Sequence, residues 1–447
     1  MSDAIIVRLW GENIGAVFMG SRGYAFAYSD QFTNRGVEVS PLLMPLSNLS
    51  YSFPRLNDET YYGLPGMIAD ALPDKFGNAV INAYMQTKGI APNKITALQR
   101  LAYIGRRGMG ALEFEPVDDG THENSLYREP LVMRDMIKSA RRVLLGEMPD
   151  IRSQLIEIGA SAGGARAKAV IGYSPDTGNI VSGQFDVPDG YQHYLIKFDG
   201  VEGTRRGIYG RRESAYLSMA AAASINVPDH FLLEDEDRAH LMIRRFDRTE
   251  RGEKIHMQSL CGIAHLDFNQ RMTTDYGTFL RVIRQLGLSA VETEEGFRRM
   301  VFNVLGVNQD DHTKNQSFLM DRQGQWSLAP AYDLAFAWNP DPSSWTHQHQ
   351  MLINGKALGI TRNDMHEVAK AGSIKKVRVD EIIDEVADAI RLWPEFAADA
   401  KVGDEEFHLI EGKQVEAMAS VSPRSGQTAM TDDQQEPVSS GNPSPAS

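Results

Sequence analysis

Cysteine is almost missing from this chain. A single one, Cys261, stands among 447 residues, so no disulfide can close within the chain and no cysteine-rich zinc site can form. Long apolar runs are missing as well: charged residues make up 23%, and no uninterrupted apolar stretch is long enough to span a bilayer. The opening residues MSDAIIVRLWGENIGAVF lack a basic segment followed by an unbroken apolar one. These absences lead us to expect a cytoplasmic protein with no membrane contact. Positive charge is the scarcer sign, with 46 Lys and Arg against 59 Asp and Glu and a formal net charge of -13. Such a balance argues against gripping nucleic acid by bulk electrostatics and leaves only a local basic patch open.

The chain is long enough for roughly two or three domains with their own cores. Its most informative stretch is VLGVNQDDHTKNQSFLMDRQGQWSLAPAYDL, from Val304 to Leu334. Asp310 and Asn315 are spaced as D-x-x-x-x-N, a hairpin is expected to turn at Asp321 to Gly324, and Asp333 follows. That order suits phosphoryl transfer from ATP. A carboxylate (Asp310) accepts the proton of the attacking hydroxyl, while an amide oxygen (Asn315) and a second carboxylate (Asp333) hold Mg2+. Taken one at a time, these residues also fit a solvated loop, with Asp311 and Lys314 as surface charges and Asp333 as a helix cap. The flanks favour the first reading: Phe297, Met300, Val301, Val304 and Leu305 precede at helical spacing, and Phe318, Leu319, Trp326 and Leu328 follow as strand residues.

Upstream, residues 1–116 read as a mixed β/α subdomain. Ile5, Val7 and Leu9 alternate as a strand, Gly15 to Phe18 suits its hairpin partner, and Tyr24 to Tyr28 gives a third strand. Apolar residues from Leu64 to Tyr84 recur at helical intervals broken by Pro73. A helix over Ile95 to Ile104 ends at Gly105, before a strand from Ala111 to Glu115. After a polar connection and an amphipathic helix from Leu131 to Leu145, residues 128–246 read as strand, small-residue loop, strand, a hairpin at Pro175 to Gly178, and the strand YLIKF bearing Lys197. A helix beginning near Glu213 and strands at Phe231 to Leu233 and Leu241 to Arg245 complete this part. Residues 247–418 read as mainly helical apart from the central hairpin, and residues 419–447, rich in Ser, Pro and Gln, as a disordered tail.

Lys197 points opposite to Ile196 and Phe198 by strand alternation, either into water or into a nucleotide site where it would neutralise phosphates, paired to Glu213. Glu213 equally suits the first turn of a helix. The loop Ser161-Ala-Gly-Gly-Ala-Arg-Ala-Lys168 could bring backbone N–H groups close to phosphates or be a plain hairpin connection; it matches no standard glycine motif.

Taken together, SAGGARAK, LIKF, the helix from Glu213 running into NVPD, RRFDR (Arg244 to Arg248), DDHTKN and PAYD, preceded by YYGLPGMIADALPDKFG, resemble in content and order the HipA family of HipA–HipB toxin-antitoxin systems. The resemblance runs to about residue 400 and implies an α+β, two-lobed protein-kinase-like fold and serine/threonine protein kinase activity with ATP and Mg2+. It implies Asp310 as catalytic base, Asn315 and Asp333 as metal ligands, and His312, Lys314, Asn315 and Tyr332 beside ATP. Lys197 and the loop Gly163, Gly164, Ala165, Arg166, Ala167, Lys168 would bind phosphates, with the adenine edge on backbone groups of Arg244, Arg245 and Phe246. Ser161 stands where the family autophosphorylates and silences itself. The implied partners are a HipB-like antitoxin dimer, operator DNA through that antitoxin, and a protein substrate such as an aminoacyl-tRNA synthetase, whose modification would inhibit translation and growth. Arg244 stands where glutamate is common, Asp311 where glycine is familiar, and SAGGARAK departs from the usual loop ending. Asp311 is left either as a third acid near the metal or as a bystander. A direct DNA contact by Arg362, Lys375, Lys376 or Arg378 stays open beside a plain solvated face. Other readings are a small-molecule phosphotransferase, a metal-dependent hydrolase on Asp310, Asp311, His312 and Asp333, and a non-catalytic ATP-binding corepressor.

Overall fold

The computed structural model describes residues 4–73, 75–117, 135–137, 140, 166–199, 201, 207–235 and 238–421. The expected helix at Leu131 to Leu145, most of the glycine loop and the C-terminal tail therefore lie largely or wholly outside the described residues. No helix among those described is long and apolar enough to cross a membrane.

The chain opens as an antiparallel meander of β1 (Ala4–Leu9), β2 (Glu12–Gly20) and β3 (Gly23–Tyr28), and β4 (Leu112–Pro116) pairs with the free edge of β1. Ile5, Val7 and Leu9 turn inward at every second position, as the alternation requires. Helices α1 (Lys75–Thr87) and α2 (Ala97–Ile104) belong to the same subdomain, and the break expected at Pro73 falls just before α1. A capping box of Thr96 and Gln99 starts α2, and Gly105, at φ +52°, stops it.

A second, all-antiparallel sheet has the order β6-β5-β7-β9-β8, built from β5 (Lys168–Tyr173), β6 (Ile180–Ser182), β7 (Gln192–Lys197), β8 (His230–Asp235) and β9 (Arg238–Arg244). Between β7 and β8 runs α3 (Ile208–Ala222). It starts earlier than the helical periodicity suggested because Gly207, at φ +75°, donates its N–H to the buried carboxylate of Asp199, and this sets the first turn. Glu213 consequently lies inside the helix and not in its first turn.

The remainder is helical around a small sheet. Helices α4 (Tyr276–Gln285), α5 (Ala290–Leu305), α6 (Arg362–Ala369), α7 (Lys376–Arg391) and α8 (Asp404–Val421) share an apolar core with α3 that includes Phe297, Phe302, Ile382, Ile390 and Trp393. The sheet joins β10 (His256–Ser259), β11 (Ser317–Met320) and β12 (Trp326–Leu328), the last two being the expected hairpin. Strand β10 went unread in the sequence because HMQS has no apolar alternation. Its buried polar side chains are satisfied across the molecule instead: Gln258 donates to the Val39 carbonyl and accepts from Ser40 Oγ, and the Ser259 N–H and hydroxyl donate to Asp70.

Two further contacts fasten the N-terminal subdomain to the rest. At the first, Asp247, wholly buried, accepts from Arg245 (2.8 and 2.7 Å), Arg248 (2.9 Å) and the Gly110 N–H (2.7 Å). Burial opposes its ionisation, but the two guanidinium groups outweigh that and hold the carboxyl far below the aspartate range. At the second, Gly66 lies so close to the large lobe that a Cβ there would sit 2.2 Å from the His265 ring; its N–H donates to His265 Nε2 at 3.0 Å.

Two outcomes follow for stability. Asp247→Ala strands two buried arginines and should cost about 3–5 kcal/mol, read as a lower urea midpoint; a change under about 1 kcal/mol would contradict the role given to this cluster. Burial depresses His193, His256 and His265 to about 4, with Arg245 and Arg248 adding to the effect at His193. Unfolded histidine takes up its proton near pH ~6.5, so their contribution to stability is whole above that pH and is lost as the pH falls toward 4. The melting temperature should drop across that window, and His265→Asn, which keeps an acceptor without titrating, should make the drop shallower.

Candidate active site

The site is assembled from both lobes around one cleft of about 1500 Å³. From the small lobe, β5 and β7 pair so that Lys168 faces Lys197 directly across the strands. Like charges opposite one another destabilise a sheet, so two lysines in this register need anionic partners. Part of that need is met from within the chain. Lys197 Nζ donates to Glu213 Oε1 on α3 at 2.5 Å and also to Asp333 Oδ1. Its side chain is 11% exposed and that of Glu213 4%, so strand alternation delivers this lysine to a cleft and not to water. Burial disfavours the ammonium, but the two carboxylates more than restore it and raise the lysine above its ordinary value.

The helix bearing Glu213 is tied to the large lobe. Tyr216 Oη donates to the Gly306 carbonyl at 2.6 Å, directly after α5 ends. Beyond Gly306 the chain turns through Val307 at φ +56° and forms a parallel bridge at Asn308 with Ala337. Two large-lobe loops that line the cleft, one holding Asp310 and the other Asp333, are thereby stitched together. Asp333 itself sits at φ +53°, a left-handed conformation that a non-glycine residue holds only when its surroundings over-determine it. Desolvation pushes its carboxyl up, but Lys197 and Lys168 prevail and hold it well below the usual range.

Asp310 opens onto the cleft. It accepts from Trp345 Nε1 at 2.6 Å and lies 3.9 Å from His312 Nε2. Desolvation raises its carboxyl, opposed by His312 and the Trp345 hydrogen bond and reinforced by Asp333 and Asp311. Asn315 donates through Nδ2 to the Asp310 carbonyl at 2.8 Å, which leaves its Oδ1 as an acceptor. Tyr332 donates to the Lys314 carbonyl and stacks near Phe246, with ring centroids 5.7 Å apart. Lys314 lies over the Phe268 ring, and His312 packs between Phe268 and Trp345.

At the back of the cleft the N–H groups of Arg244 and Arg245 are spent on the carbonyls of Asp229 and His193, so Phe246 N–H is the donor of the trio left for an adenine edge. The Arg245 side chain is committed to Asp247, and that of Arg244 bonds Asp229 and Glu250. Arg166 lies over the Tyr209 ring at 3.9 Å and lines the cleft, whereas Ala167 is buried, with its carbonyl accepting from Phe198 N–H. Ser161, Gly163, Gly164 and Ala165 lie outside the described residues.

Asp311 has no place beside Asp310 in the cleft. It is 1% exposed and accepts from Tyr276 Oη (2.8 Å), Gln350 N–H (2.8 Å) and His349 Nδ1 (2.9 Å). The surface-charge reading of Asp311 and its reading as a third acid at the metal are therefore both corrected. A hydrolase on Asp310, Asp311, His312 and Asp333 loses a ligand, and among the described residues no three His, Cys, Asp or Glu converge to hold a metal ion. Away from the cleft, Arg362 pairs with Asp380 and Asp384, and Arg378 with Glu294, Glu381 and Glu385, so both arginines considered for DNA are engaged by acids of this chain.

The donor set fits ATP and magnesium. Asp333 and the free Asn315 Oδ1 are hard oxygen donors of the kind Mg2+ takes alongside substrate phosphates, and Lys168 and Lys197 offer positive charge on the same side. His349, Gln350 and Trp345, which position the acidic loop, went unmarked in the sequence; only their closeness to the central stretch could have drawn notice.

Comparisons with known proteins bear on the family and the fold. Residues 5–115 match the model of the HipA N-terminal domain, and residues 160–393 that of the HipA-like C-terminal domain. A protein of Sinorhizobium fredii named "Putative kinase Y4dM" is 28% identical over 156 residues, covering 34% of this chain and 37% of that protein. A "Putative kinase" of Haemophilus influenzae is 21% identical over 201 residues, covering 42% of this chain and 57% of its own length. The chain thus spans between about a third and three fifths of these relatives. Among solved structures, the complex of Shewanella oneidensis HipA, HipB and operator DNA contains a chain that superposes with a TM-score of 0.68 at 16% identity, covering 93% of this chain and 96% of that one, which establishes the shared fold. With both family domains matched in order over most of its length, this chain belongs to the HipA family.

Proposed function

We propose that this protein is an ATP- and magnesium-dependent serine/threonine protein kinase and the toxin half of a toxin-antitoxin pair. The observation that carries the reading is Lys197, held between Glu213 of α3 and Asp333 of the opposite lobe, with Asp310 and Asn315 in the same cleft. That is the set of groups phosphoryl transfer needs, and it closes only when both lobes are in place.

Lys168 and Lys197 bind the phosphates, and Phe246 N–H receives the adenine edge. Asp333 and Asn315 Oδ1 would hold magnesium, which would supply neutralisation of charge on the triphosphate. Asp310 orients the acceptor hydroxyl and takes its proton as the acceptor oxygen bonds to the γ-phosphorus and the bond from that phosphorus to the ADP oxygen breaks. Since phosphoryl transfer asks for little covalent work from the protein, positioning and charge account for most of the acceleration.

Ser161 is the proposed site of self-phosphorylation, and a HipB-like antitoxin dimer that carries the toxin onto operator DNA is the proposed partner. Support for the partner is the fold shared with a HipA chain solved with HipB and operator DNA. The proposed cellular acceptor is a protein, with an aminoacyl-tRNA synthetase as the class implied by the family. The commitment of Arg362 and Arg378 to acidic neighbours favours DNA reading by the antitoxin over direct contact from this face.

Incubation with γ-labelled ATP and magnesium, followed by mapping of the phosphosite, tests the reading. Label at Ser161 that disappears in Ser161→Ala is expected, and no incorporation by the intact protein would count against it. Asp310→Asn should lower transfer by about a hundredfold or more while ATP binding persists, and should abolish growth arrest on expression; a variant that still arrests growth would favour a non-catalytic corepressor. Lys197→Met should weaken ATP binding as well as transfer, since it removes the charge that faces the phosphates.

A further inference from the structure

Trp345 lies in a short helical turn after Asp333 and Trp338, in a part of the chain with no motif. Its indole N–H nevertheless ends on Asp310 Oδ1 at 2.6 Å. The ring is fixed from several sides. Arg271 lies over it at 4.8 Å and donates to the Ser344 carbonyl at 3.1 Å, and the His312 ring meets it edge-on. The Trp345 carbonyl accepts from Gln350 Nε2 at 2.6 Å. Gln350 N–H in turn donates to Asp311, the residue next to Asp310 and itself bonded to Tyr276 and His349. Asn303 donates to the Tyr276 hydroxyl at 2.9 Å and accepts from Asn308 at 3.0 Å, so the chain of bonds returns to the loop it started from.

These bonds make a closed frame. Asp311 points inward and anchors the segment from Trp345 to Gln350; that segment returns over the cleft and ends on the carboxylate of the preceding residue. A carboxylate has two oxygens and free rotation about its Cβ–Cγ bond. A strong donor fixed on one oxygen stops that rotation and leaves the other facing outward, where an acceptor hydroxyl would arrive.

We propose that Trp345 is a positioning residue of the phosphoryl-transfer centre: its indole N–H holds one oxygen of Asp310 so that the other is presented to the acceptor, and the buried Asp311 keeps the Trp345 loop in register. The inference rests on the kinase reading and deepens it by adding the loop on the acceptor side. Neither Trp345 nor Asp311 touches the reacting atoms. Their effect passes through Asp310, which predicts a loss in the chemical step without a loss in nucleotide binding.

The test is self-labelling of the full chain with γ-labelled ATP and magnesium, with kcat and the KM for ATP measured for Trp345→Phe. This variant keeps a ring in the same place and removes only the N–H. A fall in kcat of about tenfold, the size expected of one hydrogen bond to a charged group, with an ATP KM within about twofold of the parent and an unchanged melting temperature, supports the role. An unchanged kcat, or a KM that rises in step as kcat falls, overturns it, because a general distortion of the cleft would disturb ATP as well. Arg271→Ala, which frees the outer face of the ring, should show the same split with a smaller factor and serves if Trp345→Phe does not fold. Asp310→Asn, run in parallel, separates the two layers. If it still labels fully, the kinase reading falls with everything built on it; if it is inactive while Trp345→Phe is fully active, only the role of Trp345 falls.

Discussion

One ammonium group links the two halves of this molecule. Lys197 is delivered by a central strand of the small lobe and meets Glu213 from the helix beside it and Asp333 from across the cleft. Taking three charged groups out of water is costly, and an interior pair repays that cost only when its geometry is good and its remaining bonding capacity is used. With two carboxylates on one lysine, the cluster is weak evidence for stability and stronger evidence for a ligand. Lys168, directly across the strand, brings a second positive charge to the same cleft, a setting that suits a triphosphate. The same arrangement explains why Asp333 is held in a left-handed backbone conformation. The chain accepts local strain so that one carboxylate can face both the lysine and the loop of Asp310.

A second constraint is the fastening of the N-terminal subdomain. One joint, just after β9, is a buried ionic knot on Asp247, and another, on the large lobe, depends on the missing side chain of Gly66 and on a neutral His265. Residues of the subdomain such as Thr60, Asp70 and Asn78 line the same cleft as Asp310 and Lys197. The subdomain is therefore a wall of the candidate active site and not a separate attachment, and the approach of a protein acceptor is bounded by it. Trp345 lines the cleft beside Asp310 as well, so the Asp310 carboxylate is backed by polar bonds more than by apolar packing.

Much was legible in the residues themselves. Strand alternation marked β1, β2, β3 and β7, helical spacing marked α1 and α5, and the turn at Asp321 to Gly324 came from its residue types. Each of these signals is local, because side-chain period and turn chemistry act over a few residues. Strand β10 escaped because what buries His256, Gln258 and Ser259 is a set of partners more than a hundred positions away. Asp311 escaped for a related reason: spacing places it beside Asp310 but says nothing of which way each side chain turns.

The sequence by itself determined the inventory: which acids, amides and lysines are available, the order in which they come, the family they belong to, and that no disulfide can close within the chain. Only the tertiary structure decided which of two adjacent aspartates faces the cleft, that Lys197 meets carboxylates and not water, and that a tryptophan outside every motif closes on Asp310. The physical reason is that spacing is a property of the covalent chain, whereas a hydrogen bond forms between whatever groups the packed core brings within about 3 Å, and that distance carries no memory of position along the polymer.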